Sequence, residues 1–420
     1  MKVNDVPVLL AAAALATACG GQVRPAPVPA PAPAAMLAPA PAVSAGPDAP
    51  RGAAPGPAPV TPGSLEPRLR KSAVLSPILD EAARYRFQAL VSVPSPDGSG
   101  WLEREGFRVD AEYFYPASAI KLVSAVAALE ALGDLRDSKG PQVDVSATFV
   151  TDSVARRRGG GTTVANLVVG ALVMSDNDAN NDLFDLAGHD GLHERMWRLG
   201  LSSVRMRHRL GTSAGDDGRT PTRIELLTRG ETVVLPVREP RVDLGKNDQN
   251  GVQVGESHLS RGRLVNEPMS FEDKNRVSLS DLQELMIGIM RPDLRPAGGP
   301  RLGPQERALL LDALSSMPSS RGARAAADRE HKPFLEGIER VVPRASLTLA
   351  SKSGRAYGFF VENAYVLDAR TGRSFFLTAT MYANANGRLN DDDYRYDDLA
   401  SPVFAALGEL VARTVLDASM

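Results

Sequence analysis

From Leu122 to Leu132 the chain is apolar on nearly every face of a helix, and a helix without a polar stripe belongs in an interior. Pro116 and the small residues after it supply the start, because a first helical turn leaves its N–H groups unbonded in any case. A fold built round such a helix needs other elements to cover it on all sides. Helical patterns dominate from Pro116 to about Leu201 and resume at Ser280 to Met290 and Pro304 to Ser316. Leu75 to Phe87 and Ser401 to Leu416 also read as helical. Strand patterns lie at the two ends: Gln88 to Val93 and Gly106 to Glu112, then Ser346 to Ser351, Phe359 to Leu367 and Ser374 to Tyr382. Helices enclosed between two groups of strands predict an α+β fold. One antiparallel sheet flanked by helices is assembled from both chain ends, with an all-helical subdomain beside it.

The N-terminus is a different kind of sequence. Lys2, an apolar run from Val6 to Ala16 and the small residues Ala16-Thr17-Ala18 before Cys19 describe a secretory signal, too short to span a bilayer permanently. Gln22 to Pro67 is mostly Pro and Ala, with nearly half of the chain's 32 prolines. Such a stretch has too little apolar surface to offset its ordering entropy, and is expected to be a disordered, extended tether. The organisation expected is therefore a signal at 1–19, a linker at 20–67 and a folded domain at 68–420. Within that domain, residues 205–275 form an irregular insertion rich in Gly, Arg and Asp, with strand-like Ile224 to Leu227 and Thr232 to Val237.

Composition excludes several functions. The 48 basic and 50 acidic side chains nearly cancel, so no nucleic acid is expected as a partner. The 5 histidines, His189, His193, His208, His258 and His331, have no zinc-ligand spacing, and no metal or cofactor is implied. With 1 cysteine there is no intrachain disulfide.

Chemistry concentrates in three places. In Pro116-Ala117-Ser118-Ala119-Ile120-Lys121, Ser118 falls in the first turn of the apolar helix, with Lys121 one turn later on the same face. A hydroxyl and an amine so placed can serve as nucleophile and proton acceptor. Ser175-Asp176-Asn177 follows the apolar helix Thr163 to Met174. Lys352-Ser353-Gly354 is expected in a turn closing the strand Ser346 to Ser351.

These three motifs, S-x-x-K, S-D-N and K-[ST]-G in that order, resemble those of the penicillin-recognising serine hydrolases. The likeness is to the class A β-lactamases and related penicillin-binding proteins, and covers roughly Leu75 to Leu416, Tyr357-Gly358 included. The resemblance implies that Ser118 is the nucleophile, Lys121 its proton acceptor and Ser175 the relay of a proton to the leaving nitrogen. It implies that Asn177 binds a substrate amide, that Lys352 and Ser353 hold a carboxylate beside Gly354, and that the N–H groups of Ser118 and Arg355 stabilise an oxyanion. Small residues ending on Cys19 resemble a lipobox, which implies a lipid-anchored protein of the cell envelope, in the periplasm and on the outer membrane if the cell is Gram-negative. Asp5 and the Ala three places before Cys19 depart from that pattern.

Class A enzymes also carry a Glu that activates the water releasing the acyl group. Two Glu-Pro pairs compete for it. Arg238-Glu239-Pro240-Arg241-Val242-Asp243 reproduces more of the surrounding loop, with Asp243 where the family has Asn. Glu267-Pro268 lies closer to the following helix, but Phe271 replaces the Asn. The implied partner is a β-lactam or a peptidoglycan peptide, and the chain is expected to be a monomer. The alternatives are a D,D-peptidase or penicillin-binding protein, and a cell-wall-binding lipoprotein without turnover. Gly211-Thr212-Ser213-Ala214-Gly215 fits a nucleophile elbow, but it lacks the buried strand before and the helix after that the elbow requires. Asn390 to Asp398 is acidic without the alternating ligands of a calcium loop.

Overall fold

The computed structural model describes residues 60–95, 100–140, 142–212, 215–295 and 298–417. Cys19, the signal-like segment, the Pro/Ala stretch up to residue 59 and Ser213 lie outside the described residues. The central sheet has six strands in the order Thr61–Pro62, Trp101–Phe107, Gln88–Pro94, Ser374–Tyr382, Phe359–Asp368, Leu347–Ala356. All neighbours are antiparallel except the short first pair. The two ends of the chain meet in its middle, where Thr380 pairs with Gln88 and Phe376 with Ser92.

Strand alternation divides the core. Ala89, Val91 and Val93, with Leu377, Ala379 and Met381, face Phe404, Leu407 and Val411 of the C-terminal helix Ser401–Leu416. The opposite face receives the helix Leu279–Met290, and polar groups set its position. Gln283 donates to the Leu90 carbonyl at 2.9 Å and to Thr378 Oγ1 at 3.2 Å, and accepts from Ser92 Oγ at 2.7 Å. Asn363 Nδ2 donates to the Leu282 carbonyl at 2.7 Å. All four of these side chains are buried, so each bond fixes the helix where greasy contacts alone would let it slide.

The helix Lys121–Lys139 is buried at every position from Lys121 to Gly133. It packs against Val164–Leu172, Asn177–Ala187 and His189–Arg198. Side-chain caps start its neighbours: Thr163 accepts from Asn166 N, and Asp176 from Asp178 N and Ala179 N. Much of 205–275 is spliced onto these layers. Ile224–Leu227 pairs with Thr232–Leu235 and with Thr148–Val150 of the helical subdomain, while Ser257–Ser260 pairs with Arg263–Val265 and Arg388–Leu389.

Four readings differ from expectation. The tether expected to run to Pro67 stops short of it: Thr61–Pro62 pairs with Glu105 and Gly106 at the sheet edge, and Leu65 is buried in the core. The second strand is Trp101–Phe107, not Gly106 to Glu112, because Arg108 and Asp110 have φ of 50° and 56° and break the extended backbone. Its charges hide it in the sequence: Glu103 is held bidentately by Arg68 at 2.7 and 2.9 Å, and Arg104 reaches Glu284 at 2.8 Å. The helix expected over Leu75 to Phe87 is only Ser76–Asp80. Lys352-Ser353-Gly354 is not in a turn. The strand runs on to Ala356, and the hairpin turns at Tyr357-Gly358, where φ is 55° and 82°, the positive pair that matches the twist of a two-residue loop.

Candidate active site

Between Tyr113 and Gly133 one residue is not buried, and it is Ser118. It lies in the 3-10 turn Ala117–Ile120, which feeds directly into Lys121–Lys139. Ala117 before it has φ of 47°, and Ser175 across the site has φ of 55°. Residues with a Cβ enter this region at a cost, and persist there when their surroundings over-determine the backbone.

Ser175 joins the two lysines. Lys121 Nζ donates to the Ser175 carbonyl and lies 3.3 Å from Ser175 Oγ. Lys352 Nζ approaches the same hydroxyl at 3.1 Å and donates to the Ser353 carbonyl at 2.9 Å. Burial pushes the Lys121 amine down to about 7, against the pull of the Asp176 carboxylate. Burial, then repulsion from Lys121 and Lys332, drives Lys352 well below the ordinary lysine range. An amine that is partly neutral near pH 7 can take a proton from a hydroxyl.

The strand Leu347–Ala356 comes unusually close to the serine turn. A Cβ on Gly354 would stand 2.5 Å from Ser118 N and 2.6 Å from Ala119 N, so only glycine fits there. Ser353 Oγ donates to the His331 carbonyl at 2.6 Å, and His331 Nδ1 donates to the Val173 carbonyl at 3.0 Å. His331 thus staples the edge strand to the helical subdomain just ahead of Ser175. Arg355 is half-exposed, with its guanidinium 3.6 Å from Asp397 and 3.9 Å from Glu330. Asn177 is the exposed first residue of its helix, and its amide abuts Gly211.

Sequence reasoning missed the layer behind the lysines. Lys332 is fully buried and donates to the Leu314 and Leu349 carbonyls at 2.7 and 3.2 Å. Glu362, buried beside it, accepts from Phe334 N at 2.7 Å. Burial lowers the lysine and raises the glutamate. Both stand more than two hundred residues from Ser118 in the sequence.

The two Glu-Pro pairs lie apart from this cluster. Glu239 is exposed on the rim of a cleft of about 940 Å³ lined by His189, Asp190, Arg195 and Arg241, which includes none of Ser118, Lys121, Ser175 or Lys352. Its loop is tied down by Arg241 N and Val242 N, which donate to Asp190 at 2.7 and 3.1 Å. Glu267 is exposed near the small hairpin, and only its carbonyl is engaged, by His258 Nδ1 at 3.0 Å. Among the described residues neither carboxylate hydrogen-bonds or ion-pairs with any group. Among the described residues, too, no His, Cys, Asp and Glu side chains gather in a group that could hold a metal ion.

Residues 103–235 match the model of a family described as the β-lactamase enzyme family. None of the curated proteins matches the chain. Of the solved structures, a β-lactamase from Desulfarculus baarsii is 19% identical over 85% of this chain and 98% of its own, with a TM-score of 0.50. The structure of L2 complexed with relebactam is 16% identical over 83% of this chain and 99% of its own, also with a TM-score of 0.50. A structure of PBP-A is 16% identical over 85% and 98%, with a TM-score of 0.47. At such identities the likeness is one of fold, and the architecture is the β-lactamase/transpeptidase-like one.

Proposed function

Because the chain belongs to the penicillin-recognising serine enzymes, we propose that it is a serine hydrolase that opens β-lactam amides through an ester on Ser118. The observation that supports this most is Ser175 Oγ lying within hydrogen-bonding reach of both Lys121 and Lys352, at 3.3 and 3.1 Å, with Lys121 one helical turn after the half-buried Ser118. Lys121 takes the Ser118 proton as Ser118 Oγ attacks the carbonyl carbon. The N–H groups of Ser118 and Arg355 hold the oxyanion. Ser175 hands a proton to the departing nitrogen, while Lys352 and Ser353 hold the substrate carboxylate next to Gly354 and Asn177 binds its side-chain amide.

A second reading, acylation without fast release, as in a D,D-peptidase or penicillin-binding protein, is favoured by the exposed, unpartnered carboxylates of Glu239 and Glu267. Incubating the purified protein with a chromogenic cephalosporin and a labelled penicillin separates the two. Turnover with label on Ser118 supports hydrolysis, and label without turnover supports the second reading. Equal labelling of Ser118→Ala overturns both. The Cys19 lipobox likeness supports export and lipid anchoring as part of the same proposal.

A further inference from the structure

Two bonds cross from the edge strand of the sheet to the loop that carries Ser175. One belongs to the site itself, from Lys352 Nζ to Ser175 Oγ at 3.1 Å. The other stands two residues further back. There His331 Nδ1 donates to the Val173 carbonyl at 3.0 Å, while the His331 carbonyl accepts from Ser353 Oγ at 2.6 Å. Lys352 and Ser353 are neighbours on the strand, and Val173 and Ser175 are two apart on the loop, so His331 closes a circuit of contacts round the gap between them. We infer that His331 is a positioning residue: its bond to the Val173 carbonyl holds the Ser175 hydroxyl where it can give a proton to the departing nitrogen, an inference that rests on Ser118 being the acylated residue.

Both sides of the circuit are built to hold. Val173 is the C-cap of the helix Val164–Leu172, so its carbonyl has no partner within the helix. The Val169 and Gly170 carbonyls accept from Val173 N and Asp176 N, both at 2.9 Å, and that of Val173 is satisfied from outside, by the imidazole. The backbone then turns through Ser175, whose φ of 55° persists only if its surroundings hold it. On the strand side, His331 ends the helix Ala326–His331, and the residues after it are fastened to the sheet. Lys332 Nζ donates to the Leu349 carbonyl at 3.2 Å, and Phe334 N to Glu362 at 2.7 Å. The imidazole thus projects from a fixed base. A carbonyl only accepts, so Nδ1 carries the proton. Burial, with Lys352 and Arg355 nearby, holds the ring below its usual range against the Val173 bond and Glu330, so it supplies a donor without adding a charge beside Lys121 and Lys352.

The step that depends on this is departure of the nitrogen. Lys121 takes the Ser118 proton as Ser118 Oγ attacks. When the carbon–nitrogen bond breaks, Ser175 Oγ gives its proton to the nitrogen and takes one from Lys121 Nζ, 3.3 Å away, so the proton lost by Ser118 is made good on the leaving group. A thiolate leaves without a proton. A displaced Ser175 hydroxyl therefore slows amide opening more than thioester cleavage, whereas a general loosening of the site slows both.

Two substitutions of the full-length protein test this. His331→Leu fills the space without a donor, and His331→Asn keeps a donor for the Val173 carbonyl. Each is given benzylpenicillin, with labelling followed by intact-mass spectrometry, and a D-alanyl thioester of mercaptoacetic acid, with release of the thiol followed by a colorimetric reagent. His331→Leu is expected to label about ten- to a hundred-fold more slowly, the scale of a misplacement of up to roughly 1 Å, and to cleave the thioester near the wild-type rate. His331→Asn is expected to regain most of the labelling rate. Equal losses with both substrates, or a His331→Leu protein that fails to fold, make the role of the ring structural and overturn the inference. So does an unchanged labelling rate in His331→Leu, or a His331→Asn protein that labels no faster than it. A wild-type protein that neither labels nor cleaves the thioester removes the Ser118 reading, and this inference with it.

Discussion

Gly354 and Ser118, distant in sequence, meet so closely that a single methyl on the glycine would stand 2.5 Å from the serine's backbone nitrogen. That nitrogen belongs to the turn that presents Ser118, the proposed nucleophile, so the strand and the turn set each other's position. Gly354→Ala is expected to push the strand back and slow penicillin labelling of Ser118 at least about ten-fold, with an overpacking cost of about 1–3 kcal/mol. Labelling rate and thermal midpoint, measured together, check it, and an unchanged labelling rate would show that the close approach is not needed.

Acylation should follow the ionisation of Lys121. Burial lowers its pKa to about 7, and in the proposed mechanism the neutral amine is the form that takes the Ser118 proton. The labelling rate is therefore expected to fall as pH drops through about 7 and to level off above it, with Lys352, which shares the Ser175 hydroxyl, making the observed midpoint a property of the pair. Lys121→Arg, always charged, should show no such rise. The same shift acts on stability. The unfolded chain binds more protons between about 7 and 10.5, so this group's contribution improves with rising pH across that window and is least favourable below it.

Asp176 does two jobs that one substitution can separate. Its carboxylate caps the helix Asn177–Ala187 and also holds the Lys121 pKa up. Asp176→Asn keeps a good cap and removes the charge, so the acid limb of labelling should move to lower pH with little loss of stability. Asp176→Ala should move the limb the same way and lose about 1 kcal/mol besides. A limb that stays in place in both variants would remove Asp176 from the electrostatics of the site.

Gln283 is the link between the helix Leu279–Met290 and the sheet. Gln283→Leu leaves the Leu90 carbonyl, Thr378 and Ser92 short of partners in a buried layer. The expected loss is about 1–3 kcal/mol in urea unfolding, the cost of stranding buried polar groups. A loss under half of that would mean the contacts around Gln283 relax.

For the N-terminus, Cys19→Ser is expected to move the protein from the membrane to the soluble fraction of its cells. Retention on the membrane would exclude Cys19 as the anchor.

The architecture was largely legible because its hydrophobic periods are strong: Ser374 to Tyr382 and Ser401 to Leu416 have the bounds seen in the structure. Trp101–Phe107 was displaced in the reading because Glu103 and Arg104 look like loop residues until their partners, Arg68 and Glu284, are brought in from elsewhere in the chain. Ser118, Lys121, Ser175 and Lys352 could be picked out because their motifs are local. Lys332 and Glu362 could not, since each draws its meaning from burial and from partners outside the three motifs.

The strand carrying Lys352 joins a sheet whose middle is closed by residues 88–92 pairing with 376–380. A chain made from its N-terminus holds Ser118 and Lys121 early, yet it lacks the edge strand and the second lysine until most of its length has appeared. Ser118 therefore lacks part of its proposed site on the growing chain. Joining segments so remote in sequence is also a slow step in folding. Were the chain exported unfolded, as proposed from the Cys19 motif, that delay would keep the proposed acylation chemistry out of the compartment where the chain is made and confine it to the one where it folds.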